Sequence, residues 1–212
     1  MSKQLDKITV IDHPVVARDL TILRKKSTQT EEFRAAMGRI ATILAYFALK
    51  DLPLREREIR TPITDTTGYE IDTDIIIVPI LRAGLSLVNA IINFIPDAKV
   101  GHLGMYRDET THKPVDYYSK LPDGLKDGLV LLVDPMLATG GSADDAINFL
   151  KNKGANKIRF ISLICAPEGL KRIQTKYPDV SIIAAAVDKK LNDDAFIVPG
   201  LGDAGDRYFG TT

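Results

Sequence analysis

The spacing of hydrophobic positions changes near residue 74. Before it, "STQTEEFRAAMGRIATILAYFALKDLP" sets Phe33, Met37, Ile40, Leu44 and Phe47 at three- and four-residue steps, which predicts an amphipathic helix. Thr28 and Glu31 have the spacing of a capping box, and Pro53 stands just past the pattern. The "RKK" at 24–26 reads as a solvated face. Next, "LREREIRTPITDTTGYEID" alternates through Arg55, Arg57 and Ile59, which predicts a charged hairpin or arm with Gly68 at its turn. Such an arm is either an exposed edge or a contact with a second subunit.

Beyond residue 74, short continuous apolar runs take over. "DIIIVPIL", "AKVGHLGMY", "GLVLLVD", "KIRFISLICA" and "VSIIAAAV" read as strands buried on both faces. Between several of them lie helix-like segments, "GLSLVNAIINFI", "SADDAINFLKNKG" and "PEGLKRIQTKYP". The alternation predicts an α/β fold, a mainly parallel sheet flanked by helices. One domain over 1–212 is expected: an N-terminal helical segment and β-arm (1–72), an α/β core (73–190) and a C-terminal loop (191–212). "RDETTHKPVDYYSKLPDG", at 107–124, is polar and not clearly periodic; it reads as a lid or as a disordered loop.

Composition narrows the chemistry. Lys plus Arg and Asp plus Glu number 28 each, so the total charge holds no basic excess for a nucleic-acid backbone. A single cysteine, Cys165, excludes an intrachain disulfide and fits a reducing, cytoplasmic compartment. Within "FISLICAP" it reads as a buried apolar residue rather than a nucleophile. His13, His102 and His112 lack metal-ligand spacing. No apolar run is long enough to span a bilayer, and "MSKQLDKITV" lacks the apolar centre of a signal peptide.

The stretch with the clearest chemistry is "GLVLLVDPMLATGGSADDAINFL", residues 128–150. A strand ends at Asp134, residues 135–141 form a loop, and Ser142 begins a helix with apolar Ala143, Ala146, Ile147 and Leu150, stopped at Gly154. Ligands of open α/β sheets bind beyond such strand ends. Gly140 and Gly141 let the backbone approach a ligand, and N–H groups at a helix start hold an anion. Thr139 and Ser142 add hydroxyls. A carboxylate does not bind phosphate, so Asp134 suits sugar hydroxyls, and the pair of tasks describes a ribose 5-phosphate. The turn lacks the lysine of a Walker loop and is not GxGxxG. The plainer alternative is a tight β–α turn whose glycines serve geometry and whose serine caps the helix.

"LLVDPMLATGGSA" resembles the phosphoribosyl-diphosphate signature of type I phosphoribosyltransferases. That signature usually carries two adjacent acids. Here Val133 precedes Asp134, a departure shared by the uracil phosphoribosyltransferase family. "FIVPGLGDAGDRYFGT" is similar to that family's uracil-binding segment, "VPILRAGLSL" to its diphosphate loop, and "MYRDETTHKPVDYYSKLP" to its mobile lid. With "LRKKSTQTEEFR", the resemblance spans nearly the whole chain. It departs at "AYFALKDLP", where many relatives carry Glu-Ala-Thr-Arg after the tyrosine.

The resemblance implies transfer of the 5-phosphoribosyl group of 5-phosphoribosyl 1-diphosphate to uracil, giving UMP and diphosphate. It implies that Arg82, Arg107, Asp134, Pro135, Met136, Leu137, Ala138, Thr139, Gly140, Gly141, Ser142 and Asp203 bind the sugar diphosphate. Ile197, Gly202, Asp203 and Ala204 would meet uracil, mainly through the backbone. Arg82, Asp134 and Asp203 would act by positioning and charge stabilisation, with no nucleophile. Mg²⁺ would be held mainly by the substrate. Lys113 and Tyr117 of the lid are further candidates. A homodimer and, in some relatives, GTP as an effector also follow from the resemblance. Three rival readings remain: an RNA-binding regulator built on this fold, an enzyme acting on a purine base, and a nucleotide-binding module without turnover.

Overall fold

The computed structural model describes residues 3–5, 7–107 and 114–211. Lys113 and the 108–113 part of the expected lid lie outside the described residues, as do the side chains of Arg107 and Tyr117. The chain opens with strands β1 (Lys3–Leu5) and β2 (Ile8–Val10), then helices α1 (Pro14–Arg24) and α2 (Thr30–Leu49). A hairpin follows, β3 (Leu54–Arg60) and β4 (Asp65–Ile71), then strand β5 (Ile75–Pro79) and helix α3 (Leu85–Phe94). β6 (Lys99–Val100) leads to a second hairpin, β7 (His102–Arg107) and β8 (Pro114–Lys120). Next come β9 (Leu129–Val133), β10 (Met136–Leu137), α4 (Gly141–Asn152), β11 (Lys157–Cys165), α5 (Pro167–Lys176) and β12 (Ser181–Val187). The short pair β13 (Lys190–Leu191) and β14 (Ile197–Val198) precedes α6 (Ala204–Phe209).

The main sheet runs β1-β2-β12-β11-β9-β5-β6, with β10 also paired to β11. From β2 to β6 every pairing is parallel. The five residues of β5 and of β9 are buried throughout, as strands covered on both faces must be. Alternate residues serve opposite cores. Ile75, Ile77, Leu129, Leu131 and Val133 pack with α1, α2 and α3. Ile76, Val78, Val130, Leu132 and Phe160 pack with α4 and α5. A core truncation such as Leu131→Ala therefore costs about 2–5 kcal/mol.

Helix α2 buries Phe33, Met37, Ile40 and Leu44 as the spacing predicts, whereas Phe47 is only half-buried. The capping box is not formed. Thr28 Oγ1 donates to the Ile22 carbonyl at 2.6 Å, closing the α1–α2 turn, and Gln29 occupies the cap position without a side-chain bond to the helix, its amide donating to the Ser27 carbonyl instead. Buried Asp19 joins the two helices, accepting from Arg39 at 2.7 and 3.1 Å and from Arg18 at 2.9 Å. Burial alone would raise its pKa; the two guanidiniums outweigh that and hold it below the ordinary value.

Several expectations are corrected. The first ten residues contribute β1 and β2, and β2 extends the main sheet alongside β12. Gly68 is not at the turn of the arm. It pairs with Arg57 inside β4, where a Cβ would press on the Ile59 side chain at 3.0 Å, and Thr61 and Thr64 close the turn instead. "AKVGHLGMY" is two strands, because β7 leaves the sheet after Gly101 to pair with β8. Much of the supposed lid loop is thus hairpin, rooted by a bridge between Leu103 and Ile80.

Candidate active site

Three loops meet at the carboxyl ends of the parallel strands. The first follows β9. The Asp134 N–H donates to the Ile161 carbonyl at 3.1 Å, and its Oδ1 accepts from the Met136 N–H at 3.3 Å. Residues 135–141 are more ordered than a simple loop. Pro135 O accepts from the N–H groups of Leu163 and Ile164, and Met136 and Leu137 form β10. Pro135 and Leu137 turn their side chains inward, so they offer this edge only their main chain. Gly140 takes the left-handed conformation at φ 78° and caps α4, which begins at Gly141, one residue before the expected Ser142. This cap has no side chain to accept from the first-turn N–H groups, which suits an anion there. Thr139 and Ser142 are exposed, and the Thr139 hydroxyl accepts from the Gly141 N–H at 3.4 Å.

The turn is pressed against α5. A Cβ on Gly169 would lie 2.4 Å from the Ala138 carbonyl oxygen, so only glycine permits this approach. Behind it, buried Asp144 accepts from Tyr177 Oη at 2.7 Å, Lys176 Nζ at 2.6 Å and Arg172 at 2.7 and 3.0 Å. Burial would push its pKa up; Lys176, Tyr177 and Arg172 together hold it below the ordinary value. This cluster locks α4 to α5 and fixes the direction of the α4 N-terminus.

The second loop follows β5. Ile80 N–H donates to the Val133 carbonyl at 3.0 Å, the Leu81–Arg82 peptide is cis, and Gly84 caps α3. A Cβ on Gly84 would lie 2.4 Å from the Val133 carbonyl oxygen, so glycine lets this loop nest beside Asp134. Arg82 is largely exposed and reaches Asp206 of the third loop at 3.3 Å. An exposed pair at that distance is worth little and is easily exchanged for a ligand anion.

The third loop is the C-terminal segment, where Gly200 and Gly202 take positive φ angles of 63° and 80°. Ile197 and Ala204 are buried and present only backbone, whereas Gly202 and Asp203 are exposed. Asp203 caps α6, its Oδ1 accepting from the Asp206 N–H at 2.8 Å. A Cβ on Gly205 would lie 3.7 Å from Ala83 Cβ, so the second and third loops touch.

Asp134 is the electrostatic focus. Burial pushes its carboxyl up to about 7; the Asp203 charge adds to the rise and the Met136 N–H partly opposes it. Among the described residues, no group of three or more histidine, cysteine or acidic side chains gathers as a metal site. Arg107 ends β7, opposite Pro114. Asp144, Asp188 and Arg207 lie outside the residues expected from the sequence, and Arg24 belongs to the "RKK" run that reads as a solvated face. Asp188 follows an apolar run directly, as Asp134 does, and that position was a readable signal.

A family model described as uracil phosphoribosyltransferase matches residues 10–211. A protein of that name from Salinibacter ruber is 50% identical over 207 residues, covering 98% of this chain and 99% of its own. One from Acholeplasma laidlawii is 51% identical, covering 98% of this chain and 100% of its own. The solved AQ2163 protein from Aquifex aeolicus superposes with a TM-score of 0.90 at 40% identity, over 97% of this chain and 99% of that one. The adenine phosphoribosyl transferase of Trypanosoma brucei, at 11% identity and a TM-score of 0.60 over 88% of this chain and 87% of that one, shares the fold. With three of the segments that carried the resemblance brought together, and half of all positions shared with named relatives end to end, the chain belongs to the uracil phosphoribosyltransferase family.

Proposed function

We propose that this chain is an enzyme that transfers the 5-phosphoribosyl group from 5-phosphoribosyl 1-diphosphate to uracil, forming UMP and diphosphate. The observation that carries the reading is the meeting of the three loops: Asp134 feels the charge of Asp203, and Arg82 reaches Asp206. Fragments of one substrate pair thereby find donors and acceptors within one crevice.

In this reading the N–H groups and hydroxyls of Thr139 to Ser142 hold the 5-phosphate. Asp134, in its ionised form, accepts from the ribose hydroxyls. Arg82 takes the diphosphate, for which its planar fork is suited. Backbone of the third loop around Ile197, Gly202 and Ala204 reads the uracil edge, N–H to carbonyl oxygen and carbonyl to N–H. Asp203 sits between base and sugar. The C1′–oxygen bond to diphosphate breaks, a bond from uracil N1 to C1′ forms, and the N1 proton passes to the departing diphosphate or to water. No protein nucleophile is required. The side chains supply alignment and charge stabilisation as oxocarbenium character develops.

Mg²⁺ belongs to this reading. Two crevice carboxylates, Asp134 and Asp203, suit an ion carried chiefly by substrate oxygens, with Asp203 the residue to meet it. When bound, such an ion offsets charge on the departing diphosphate. The β7–β8 hairpin would close as a lid, bring Arg107 in and exclude water. A homodimer is supported by the arm: β3 is exposed along its length and the pair displays Leu54, Ile59, Ile63 and Tyr69. A lone two-stranded hairpin is marginal in water, so a second copy is the natural cover. GTP activation rests on family likeness alone, and rates with and without GTP decide it.

The deciding assay offers 5-phosphoribosyl 1-diphosphate and Mg²⁺ with uracil, cytosine, hypoxanthine or adenine. UMP formation with uracil alone is expected. Turnover with a purine, or UMP binding with no turnover on any base, would replace this reading with one of its rivals.

A further inference from the structure

The main chain of Gly200 is gripped through both of its peptide groups. Its N–H donates to Asp188 Oδ2 at 2.9 Å, and its carbonyl accepts from Arg24 at 2.8 Å. Arg24 and Asp188 in turn hold each other in a fork, at 2.6 and 2.8 Å. The Asp188 side chain is 4% exposed, so this pair is shielded from screening. A second arginine takes the next peptide: Arg207 donates to the Leu201 carbonyl at 2.7 Å, to the Lys25 carbonyl at 2.7 Å and to that of Leu23. Its guanidinium also lies 4.4 Å from the centre of the Phe33 ring.

Gly200 and Leu201 lie within the stretch proposed to read the base, between Ile197 and Gly202. Ile197, Leu201 and Ala204 anchor the loop in the core, but Gly200, at φ 63° where a Cβ would lie 2.1 Å from the Ile197 carbonyl oxygen, has no side chain to fix the direction of its own N–H and C=O. Both clamps instead tie main-chain atoms to the end of α1, a helix outside the site. A clamp on backbone amides fixes where neighbouring N–H and C=O groups point, and those directions are what distinguish the edges of a pyrimidine.

We infer that Arg24 and Asp188 are positioning residues that set the base-recognition loop, and so govern uracil binding without touching the sugar diphosphate. This rests on the proposed function above. The prediction separates the two substrates. Asp188→Asn places an amide donor against the N–H of Arg24 or of Gly200. The KM for uracil should rise about tenfold or more, and that for 5-phosphoribosyl 1-diphosphate should stay within about twofold. Arg24→Met should do the same. Arg24→Lys keeps the charge but cannot span Asp188 and the Gly200 carbonyl together, so it should restore only part of the loss.

The experiment is a steady-state matrix of both substrates for wild type, D188N, R24M, R24K and the double variant D188N/R24M. The double variant should be no worse than the worse single one, since both sever one link. Equal rises in both KM values, additive losses, or an unchanged uracil KM in R24K and R24M would overturn the inference. Should D188N fail to fold, the R24K and R24M comparison still decides. If wild type itself makes no UMP, the functional reading fails instead, and the two failures are thereby distinct.

Discussion

Asp19, Asp144 and Asp134 are aspartates drawn away from water, with opposite outcomes. Guanidiniums hold Asp19 low, and ammonium, phenol and guanidinium hold Asp144 low, against the effect of burial. Asp134 has no cation among the causes of its shift and rises to about 7. The signs of their linkage therefore differ. Asp134 binds its proton more tightly folded than unfolded, so its stabilising effect is complete below the ordinary aspartate range and is lost as pH climbs to about 7. Asp19 and Asp144 stabilise above that range and lose the effect as pH falls through their lowered values. Melting temperatures of Asp134→Asn from pH 4 to 8 should show a flatter fall than wild type. The same proton explains a ligand effect. Hydroxyl binding needs the ionised form, so UMP affinity should strengthen as pH rises toward 7, and less so in the asparagine variant. Asp134→Ala should lower kcat/KM for the sugar diphosphate roughly a hundredfold with the fold intact, the loss of hydrogen bonds to a charged acceptor. Unchanged kinetics would remove its ribose role. Arg82→Ala should slow turnover about 10²–10³-fold while altering UMP binding far less. Equal losses would mean that Arg82 does not serve the diphosphate.

At the scale of elements, close contacts between glycines and carbonyls bring the loops together. Gly84→Ala forces a Cβ into the Val133 carbonyl and should cost more in turnover than in melting temperature, because loop direction is what it disturbs. Asp144→Ala unlocks α4 from α5. Its cationic partners are partly exposed, so a loss of about 1–3 kcal/mol is expected by denaturant titration. β5, β9, β11, β12 and the helices between them were legible from apolar runs, because two-sided burial leaves an unmistakable stretch. What escaped was structure made by pairing rather than by pattern. β1 and β2 are too short to show a period, β7 reads as a continuation of β6, and polar β8 carries no apolar run. The Asp134 turn and the glycine tail were readable because their residue types are restricted by close backbone approach. Arg24 and Arg207 were not, since arginine occurs on any surface and only the fold shows them clasping main chain.

Across the whole molecule, the proposed chemistry and the proposed assembly draw on separate segments. The three loops share the carboxyl edge of the sheet, while the β3–β4 arm projects exposed Ile63, Tyr69 and Leu54. Tyr46 and Phe94, edge to face with ring centres 6.4 Å apart, add exposed aromatic surface where "AYFALKDLP" leaves the pattern of many relatives. Sedimentation should show a dimer, and replacing Tyr69 and Ile63 with glutamate should shift it toward monomer. A wild-type monomer at micromolar concentration would remove the second copy from the account. No described helix is long and apolar enough to cross a membrane. The decisive measurement is a crystal structure with UMP bound. The phosphate is expected on the N–H groups of Thr139 to Ser142, the ribose hydroxyls on Asp134 and the uracil edge along the backbone from Ile197 to Ala204. Nucleotide bound away from the strand ends, or held there with its base turned from the C-terminal loop, would contradict it.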